Sequence, residues 1–225
     1  MVDDTRAAQF DRGLTTDQIL DLAVALADAH GLTAVSMRRL GRELAVTPMA
    51  LYWHFKHKDA LLDAMAERTV AAAEFVDAPD NPWDHRLRDV LTTLTDVLRT
   101  HPWMGRLVVE RLVPQPSYLN ALEIMLDCAR DAGLSPDDGA VLTQQAVQAV
   151  VALVDYEPGP PLQKTHRTDP GAAAAALLDA IPPGALPNIR KAATELHTLP
   201  NPERYYQLGI DMIVGGIVAV ACAPR

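Results

Sequence analysis

Between Ser36 and Lys58 the chain reads SMRRLGRELAVTPMALYWHFKHK, a run dense in side chains that grip a polyanion and touch base edges. Arg38 is a fork of donors whose natural bidentate partners are guanine O6 and N7. Ser36 and Thr47 offer hydroxyls, Tyr52 can donate to a phosphate or lie on a thymine methyl, and His54 and Lys58 can hold backbone phosphates. Pro48, Met49 and Trp53 complete the surface that a short helix would present. Every one of these residues also has an ordinary structural use. Tyr52 and Trp53 could be core aromatics tying a small helical unit together, Met49 could be packing, and Arg39, Arg42 and His57 could be solvated surface.

Two short helices and a tight turn would position these groups. Ser36 can cap a helix from Met37 to about Leu44, and Thr47-Pro48 is a cap followed by proline at the first helical position, where its missing N–H costs nothing. Ala45 lies in the turn, where a small side chain permits close approach, and Leu40, Leu44, Val46 and Leu51 can pack both helices onto a preceding one. That preceding helix opens with a Thr15/Gln18 capping box and closes at Gly31, with Ile19, Leu20, Ala23, Leu26 and Ala27 at helical spacing. A helix-turn-helix that lays its second helix in the DNA major groove has this layout.

Charge is distributed to suit. The whole chain of 225 residues carries a net charge of −9, yet residues 36–58 hold five Lys/Arg against one Glu. Residues 75–225 hold 12 Lys/Arg against 18 Asp/Glu. A basic patch on an acidic body meets phosphate with one face and repels it with the others. Few aromatics and many aliphatics favour helices over a β-sandwich. The expected class is all-α: an N-terminal arm and three-helix head over 1–57, then a larger helical regulatory and dimerisation domain over 58–225. The Asx/Ser-Pro device recurs at Asn81-Pro82, Ser135-Pro136, Asp169-Pro170 and Asn201-Pro202. Body helices are expected over 58–75, 82–100, 103–112, 116–132, 136–156, 170–180, 184–198 and 202–222, with a proline-rich loop from Glu157 to Asp169. No run of 18 uncharged apolar residues and no apolar leader occurs, so a cytoplasmic protein without a membrane partner is expected. Cys128 and Cys222, without paired spacing, are expected to be buried reduced thiols. No GxSxG, HExxH or phosphate-binding glycine loop is present and the histidines are scattered, so no catalytic residues are assigned and no enzyme is expected.

Residues 15–68 resemble the N-terminal domain of the TetR family of bacterial repressors. The likeness rests on the Gly31 break, Arg38-x-Leu40, Leu44-Ala45-Val46, and LYWH followed by Lys58; Leu51 to Arg68 is especially similar to the tetracycline-repressor branch. The resemblance implies that Arg38, Tyr52, Trp53, His54 and Lys58 contact a double-stranded DNA operator. At Pro48 that branch has a base-reading glutamine, so the operator sequence should differ. More weakly, WMGRLVVERL, ALEIMLDCARDAGLS and YYQLGIDMIVGGIVAVAC resemble the regulatory domain of the same branch, which implies an intersubunit four-helix bundle and a homodimer. Leu208, Met212, Gly215, Gly216 and Ala219 independently form a stripe of small and apolar groups, which an intramolecular core helix would also explain.

The drug-magnesium site of that branch does not carry over. Its histidines fall at Glu74 and Val109 and its asparagine near Val90, leaving only the carboxylate of Asp155. No metal, no cofactor and no tetracycline is therefore expected. A small, mostly apolar effector remains, with Trp103, Met104, Leu107, Met125, Cys128, Gln144, Gln148 and Tyr156 as candidate pocket residues, each of which could equally be ordinary core. An effector that binds better when two heads are splayed would release DNA by its differential affinity. The sequence leaves repressor and activator open, and the helix from Lys58 is the expected lever.

Overall fold

The computed structural model describes residues 13–110, 115–157, 184–197 and 201–223, with single positions at 175, 178, 179 and 182. The N-terminal arm over 1–12, most of the expected Glu157–Asp169 loop and nearly all of the expected 170–180 helix lie outside these residues. Among the described residues there are ten α-helices and no strand. They are α1 Thr16–His30, α2 Met37–Glu43, α3 Pro48–His54, α4 Lys58–Ala71, α5 Trp83–Thr100, α6 Met104–Glu110, α7 Pro116–Asp131, α8 Pro136–Asp155, α9 Pro187–His197 and α10 Pro202–Ala221, with a 3-10 turn at Leu32–Ala34. No helix among them is long and apolar enough to cross a membrane.

Local chemistry sets most boundaries. The Thr15 hydroxyl accepts from Gln18 N at 3.2 Å and the Gln18 side chain accepts from Thr15 N at 3.0 Å, which closes the capping box. Gly31 ends α1 at φ 76°, a conformation that costs glycine nothing. Ser36, Thr47, Ser135 and Asn201 each cap the helix that follows. Asn81-Pro82 behaves differently. Asn81 N donates to Ala78 O in a preceding turn, Pro82 becomes the cap residue, and its carbonyl takes the first helical bonds from His85 and Arg86. The lever α4 also stops earlier than its apolar pattern suggests. Its carbonyls are taken up by a tightened last turn through Ala73 and Glu74, and Glu74 turns the chain at φ 46°.

One continuous core runs from head to body. Ile19, Ala23, Leu40 and Leu51 close the head, and Leu61 and Met65 of α4 belong to the same cluster, which continues through α7 into α5 and α8. In the body, α5 packs against α7, α8 and α10, while α4 lies against α1 on one side and α7 on the other. Gly41 governs the head's tightest approach. A Cβ there would stand 3.0 Å from Val46 O and 3.4 Å from Pro48 N, both backbone atoms. Gly41→Ala is expected to lower stability by about 1–2 kcal/mol, because the clash outweighs the gain in helix propensity of up to about 1 kcal/mol. Denaturant unfolding checks this; a stabilised variant would mean that the turn yields at no cost.

Candidate nucleic-acid interface and the cavity behind it

The head turns α3 outward. Ala50 and Leu51 are buried, and the opposite face is open: Met49 is 66 % exposed, Tyr52 45 % and Trp53 84 %. An apolar surface of this kind on a seven-residue helix stabilises nothing in the chain itself, so the core reading of these three residues does not hold. The Thr47 hydroxyl accepts from Ala50 N at 3.3 Å and the Ser36 hydroxyl from Arg39 N at 3.2 Å, so each keeps its own O–H for an outside acceptor. Arg38 and Pro48 are exposed beside them. The sharp turn between α2 and α3 is held by Ala45 at φ 55°, a strained value for a residue with a Cβ.

Basic groups frame this face. His54 is half-buried with Nδ1 3.1 Å from the Thr16 hydroxyl, which fixes its ring against α1. His57 caps α4: its Nδ1 accepts from Ala60 N at 3.0 Å, so that nitrogen is unprotonated and any ring N–H lies on the other side. Lys58 follows as the first residue of α4, exposed, where a cation opposes the helix dipole. An unfavourable charge at that point fits a partner that brings negative charge to the free N–H groups.

Behind the head, two sets of polar contacts bind it to the body. Arg68 of α4 reaches Asp17 at 2.7 Å and Asp21 at 2.6 Å on α1. Asp28, near the end of α1, accepts from Trp103 Nε1 at 2.6 Å, and the same oxygen lies 2.8 Å from His101 Nδ1. His101 and Trp103 meet edge to face at 6.0 Å. The head is thus held by α4 and by the residues that lead into α6.

Between α4, α6 and the start of α7 lies a small cavity lined by Ala66, Glu67, Val70, Met104, Leu107, Val108, Gln115 and Tyr118. It has room for about one water. An open groove adjoins it, bounded by Leu20, Ala60, Asp63, Ala64, Glu67, Arg68 and Gln115. Of the candidate pocket residues, Met104 and Leu107 stand on the cavity wall. Trp103, bonded to Asp28, and Met125 and Cys128 on α7 are buried outside the lining. Burial pushes the Cys128 thiol up to about 11, so it stays protonated. Cys222 is exposed, contrary to expectation, because α10 has ended and no element covers it. Gln144, Gln148 and Tyr156 are exposed, since α8 turns its Thr143, Ala146, Val147 and Val150 stripe inward. Among the described residues no cluster of His, Cys, Asp and Glu could hold a metal ion.

Glu67, Gln115 and Tyr118 were not singled out in the sequence. Glu67 could have been noticed as a carboxylate flanked by the inward residues Ala66 and Val70, but its partner lies 50 residues away. Glu67 accepts from the Ser117 hydroxyl at 2.8 Å and sits 3.3 Å from Ser117 N, at the start of α7. Gln115, the cap residue of α7, makes no side-chain cap bond, so α4 supplies the cap.

On α10, Tyr206, Gly209, Ile210, Val214 and Ile217 face the body. Gly209 is the point of closest approach: a Cβ there would stand 2.6 Å from Leu153 Cδ1. Leu208, Met212, Gly215, Gly216 and Ala219 lie on the other side and are exposed, and nothing comes within 4 Å of a Cβ at Gly215 or Gly216. Arg99 fastens the inner face from α5, 2.8 Å from Glu203 and 4.5 Å over the Tyr206 ring, and Arg88 pairs with Asp211.

The comparisons with known proteins agree with this arrangement. Residues 19–65 match the family described as bacterial regulatory proteins of the tetR family, and residues 76–221 match the tetracyclin repressor-like C-terminal domain. The transcriptional repressor DrrR1 of Streptomyces coeruleorubidus is 31% identical over 147 residues, which cover 65% of this chain and 52% of that protein. The chain thus spans about half the length of that relative. The class E tetracycline repressor of Escherichia coli is 27% identical over 164 residues, 66% of this chain and 77% of that one. Among solved structures, ActR of Streptomyces coelicolor in complex with actinorhodin superposes with a TM-score of 0.76 at 26% identity, covering 93% of this chain and 98% of that one. With both of its parts matched, and the second match alone spanning more than half of its residues, this chain belongs to the tetR family of bacterial regulatory proteins.

Proposed function

We propose that the chain is a ligand-responsive transcriptional repressor, which binds a two-fold-symmetric operator as a homodimer and is released by a small, largely apolar effector. One observation carries the DNA-binding part: Met49, Tyr52 and Trp53 are exposed together on α3, and Arg38 and Lys58 on the adjoining helices are exposed as well. Apolar contact with thymine methyls and sugar, flanked by cations for phosphate, is what a major groove demands. Ser36, Thr47 and Pro48 complete the reading surface. The family relatives with printed functions are regulators, which favours this over an enzyme, and the repressors among them favour repression over activation.

Pairing supplies the second half-site. Two heads about 34 Å apart fill successive major grooves. The stripe of Leu208, Met212, Gly215, Gly216 and Ala219 is the natural seam, flanked by the exposed Val141, Gln144 and Gln148 of α8. Gly216→Leu tests it. Its new side chain meets open space in the single chain, so folding is expected to be preserved while dimerisation weakens roughly 100-fold or more through overpacking at the seam. Sedimentation at several concentrations reads this directly, and an unaltered dimer would place the seam elsewhere.

The effector's route is set by what bounds the cavity. Its walls α4 and α6 both lead to head contacts, through Arg68 with Asp17 and Asp21 and through Trp103 with Asp28. An occupant that separates the walls moves the head's two supports relative to each other, so it favours the arrangement of heads that no longer spans adjacent grooves. The decisive experiment is selection of duplexes from a random pool at two salt concentrations. An inverted repeat with half-sites about one turn apart, bound more weakly at high salt, is expected. Recovery of salt-sensitive background alone would overturn the reading.

A further inference from the structure

Glu67 stands where the small cavity meets the open groove and belongs to the lining of both. Among the described residues around the cavity it is the one carboxylate, and no Lys, Arg or His faces it. The nearest cation in the groove, Arg68, gives its guanidinium to Asp17 and Asp21. Glu67 itself is half-buried and, among the described residues, accepts only from neutral donors, the hydroxyl and N–H of Ser117. A partly desolvated carboxylate with no counter-charge selects a cation and repels an anion. The rest of the cavity wall is aliphatic or Met, apart from the amide of Gln115 and the hydroxyl of Tyr118, whose pKa burial raises, keeping it neutral.

We propose that the effector is a protonated amine on a compact apolar body, with the apolar part entering between α4 and α6 and the ammonium taking Glu67 in place of Ser117. This rests on the reading of the chain as effector-responsive and names the class of effector. It also supplies the trigger. Because Gln115 makes no cap bond, Glu67 caps α7 from α4. An ammonium that captures the carboxylate uncaps α7 and breaks its polar tie to α4 in the same step, and α7 lines the cavity through Tyr118, so ligand binding and loosening of the α4–α7 wall are one event.

Calorimetry on the full chain at neutral pH tests this with three naphthalene probes of similar size: 2-(1-naphthyl)ethylamine, the corresponding alcohol, and 1-naphthylacetate. The amine is expected to bind roughly 10- to 100-fold more tightly than the alcohol, and the carboxylate most weakly. Glu67→Gln, which keeps shape and an acceptor for Ser117, is expected to abolish the preference for the amine while leaving binding of the alcohol intact. Ser117→Ala removes the competing donor and is expected to strengthen amine binding. An alcohol that binds as well as the amine, a preference that survives in Glu67→Gln, or no binding of any probe would each overturn the proposal. The titration uses free protein, so failure to bind an operator would sink the repressor reading without touching this result. Tight amine binding that leaves operator occupancy unchanged would keep the site and remove its regulatory role.

Discussion

Tyr52→Ala is expected to weaken operator binding by roughly 10²–10⁴-fold, through loss of a hydrogen bond to charged phosphate worth about 1.5–3 kcal/mol at each of two half-sites. Its effect on folding should be small. Tyr52 is 45 % exposed on the outer face of α3, and substitutions at such positions change stability by about 0.5 kcal/mol. Fluorescence anisotropy on a selected duplex, set beside thermal melting and sedimentation, separates the two effects. A change in affinity below about threefold, with the dimer intact, would remove Tyr52 from the reading surface. Lys58→Ala makes a useful contrast. As a phosphate contact it should lower affinity for all sequences alike and reduce the salt slope by about one for each head.

The largest expected effect on stability lies far from DNA. Arg86 of α5 is 4 % exposed and is held by two bonds to Asp77, at 2.8 and 2.9 Å, and one to Asp131, at 2.8 Å. Asp77 lies in the connector that follows α4, and Asp131 ends α7. These bonds hold the guanidinium's pKa above its ordinary value despite burial. Arg86→Met keeps most of the volume and is expected to cost about 3 kcal/mol, at the low end for a broken buried pair because both carboxylates retain water. For a chain of this length that corresponds to a fall in Tm of roughly 6–12 °C. Calorimetric melting checks it; a loss below about 1 kcal/mol would mean that water satisfies both carboxylates unaided. The variant also frees the body end of α4, so effector response should become shallower where DNA affinity is retained.

Local rules carried most of the architecture. The capping box at Thr15, the caps at Ser36, Thr47, Ser135 and Asn201, and the inward stripe of α1 all follow from spacing and side-chain type. They were legible because each depends on residues three or four apart. The exposed face of α3 was legible for a related reason: aromatics and Met appear where the helical period puts solvent. What escaped is the long-range pairing of polar groups. Nothing local to Arg86 announces Asp131, nothing near Glu67 announces Ser117, and Asp28 finds Trp103 across 75 residues. The same limit explains Gln144 and Gln148, placed in the pocket by their amide chemistry although the phase of α8 turns them outward. Asn81-Pro82 misled because a turn one step earlier had already taken the Asn81 backbone. Glycine was half legible. The Gly215-Gly216 pair was noticed, but Gly209, which touches Leu153, was not, since only the fold shows which small residue faces a neighbour.

The open stripe on α10 has a consequence for how such a regulator responds to its own abundance. On the proposed pairing, a chain that reads DNA only as a dimer would not occupy its operator in proportion to copy number. While single chains predominate, doubling their number quadruples the paired form, by mass action alone. Repression then sets in over a narrow range of synthesis rates and collapses quickly as the protein is diluted by growth. A second, unrelated chain able to cover the same small-residue seam would act as a titrant of repression without approaching DNA or the cavity.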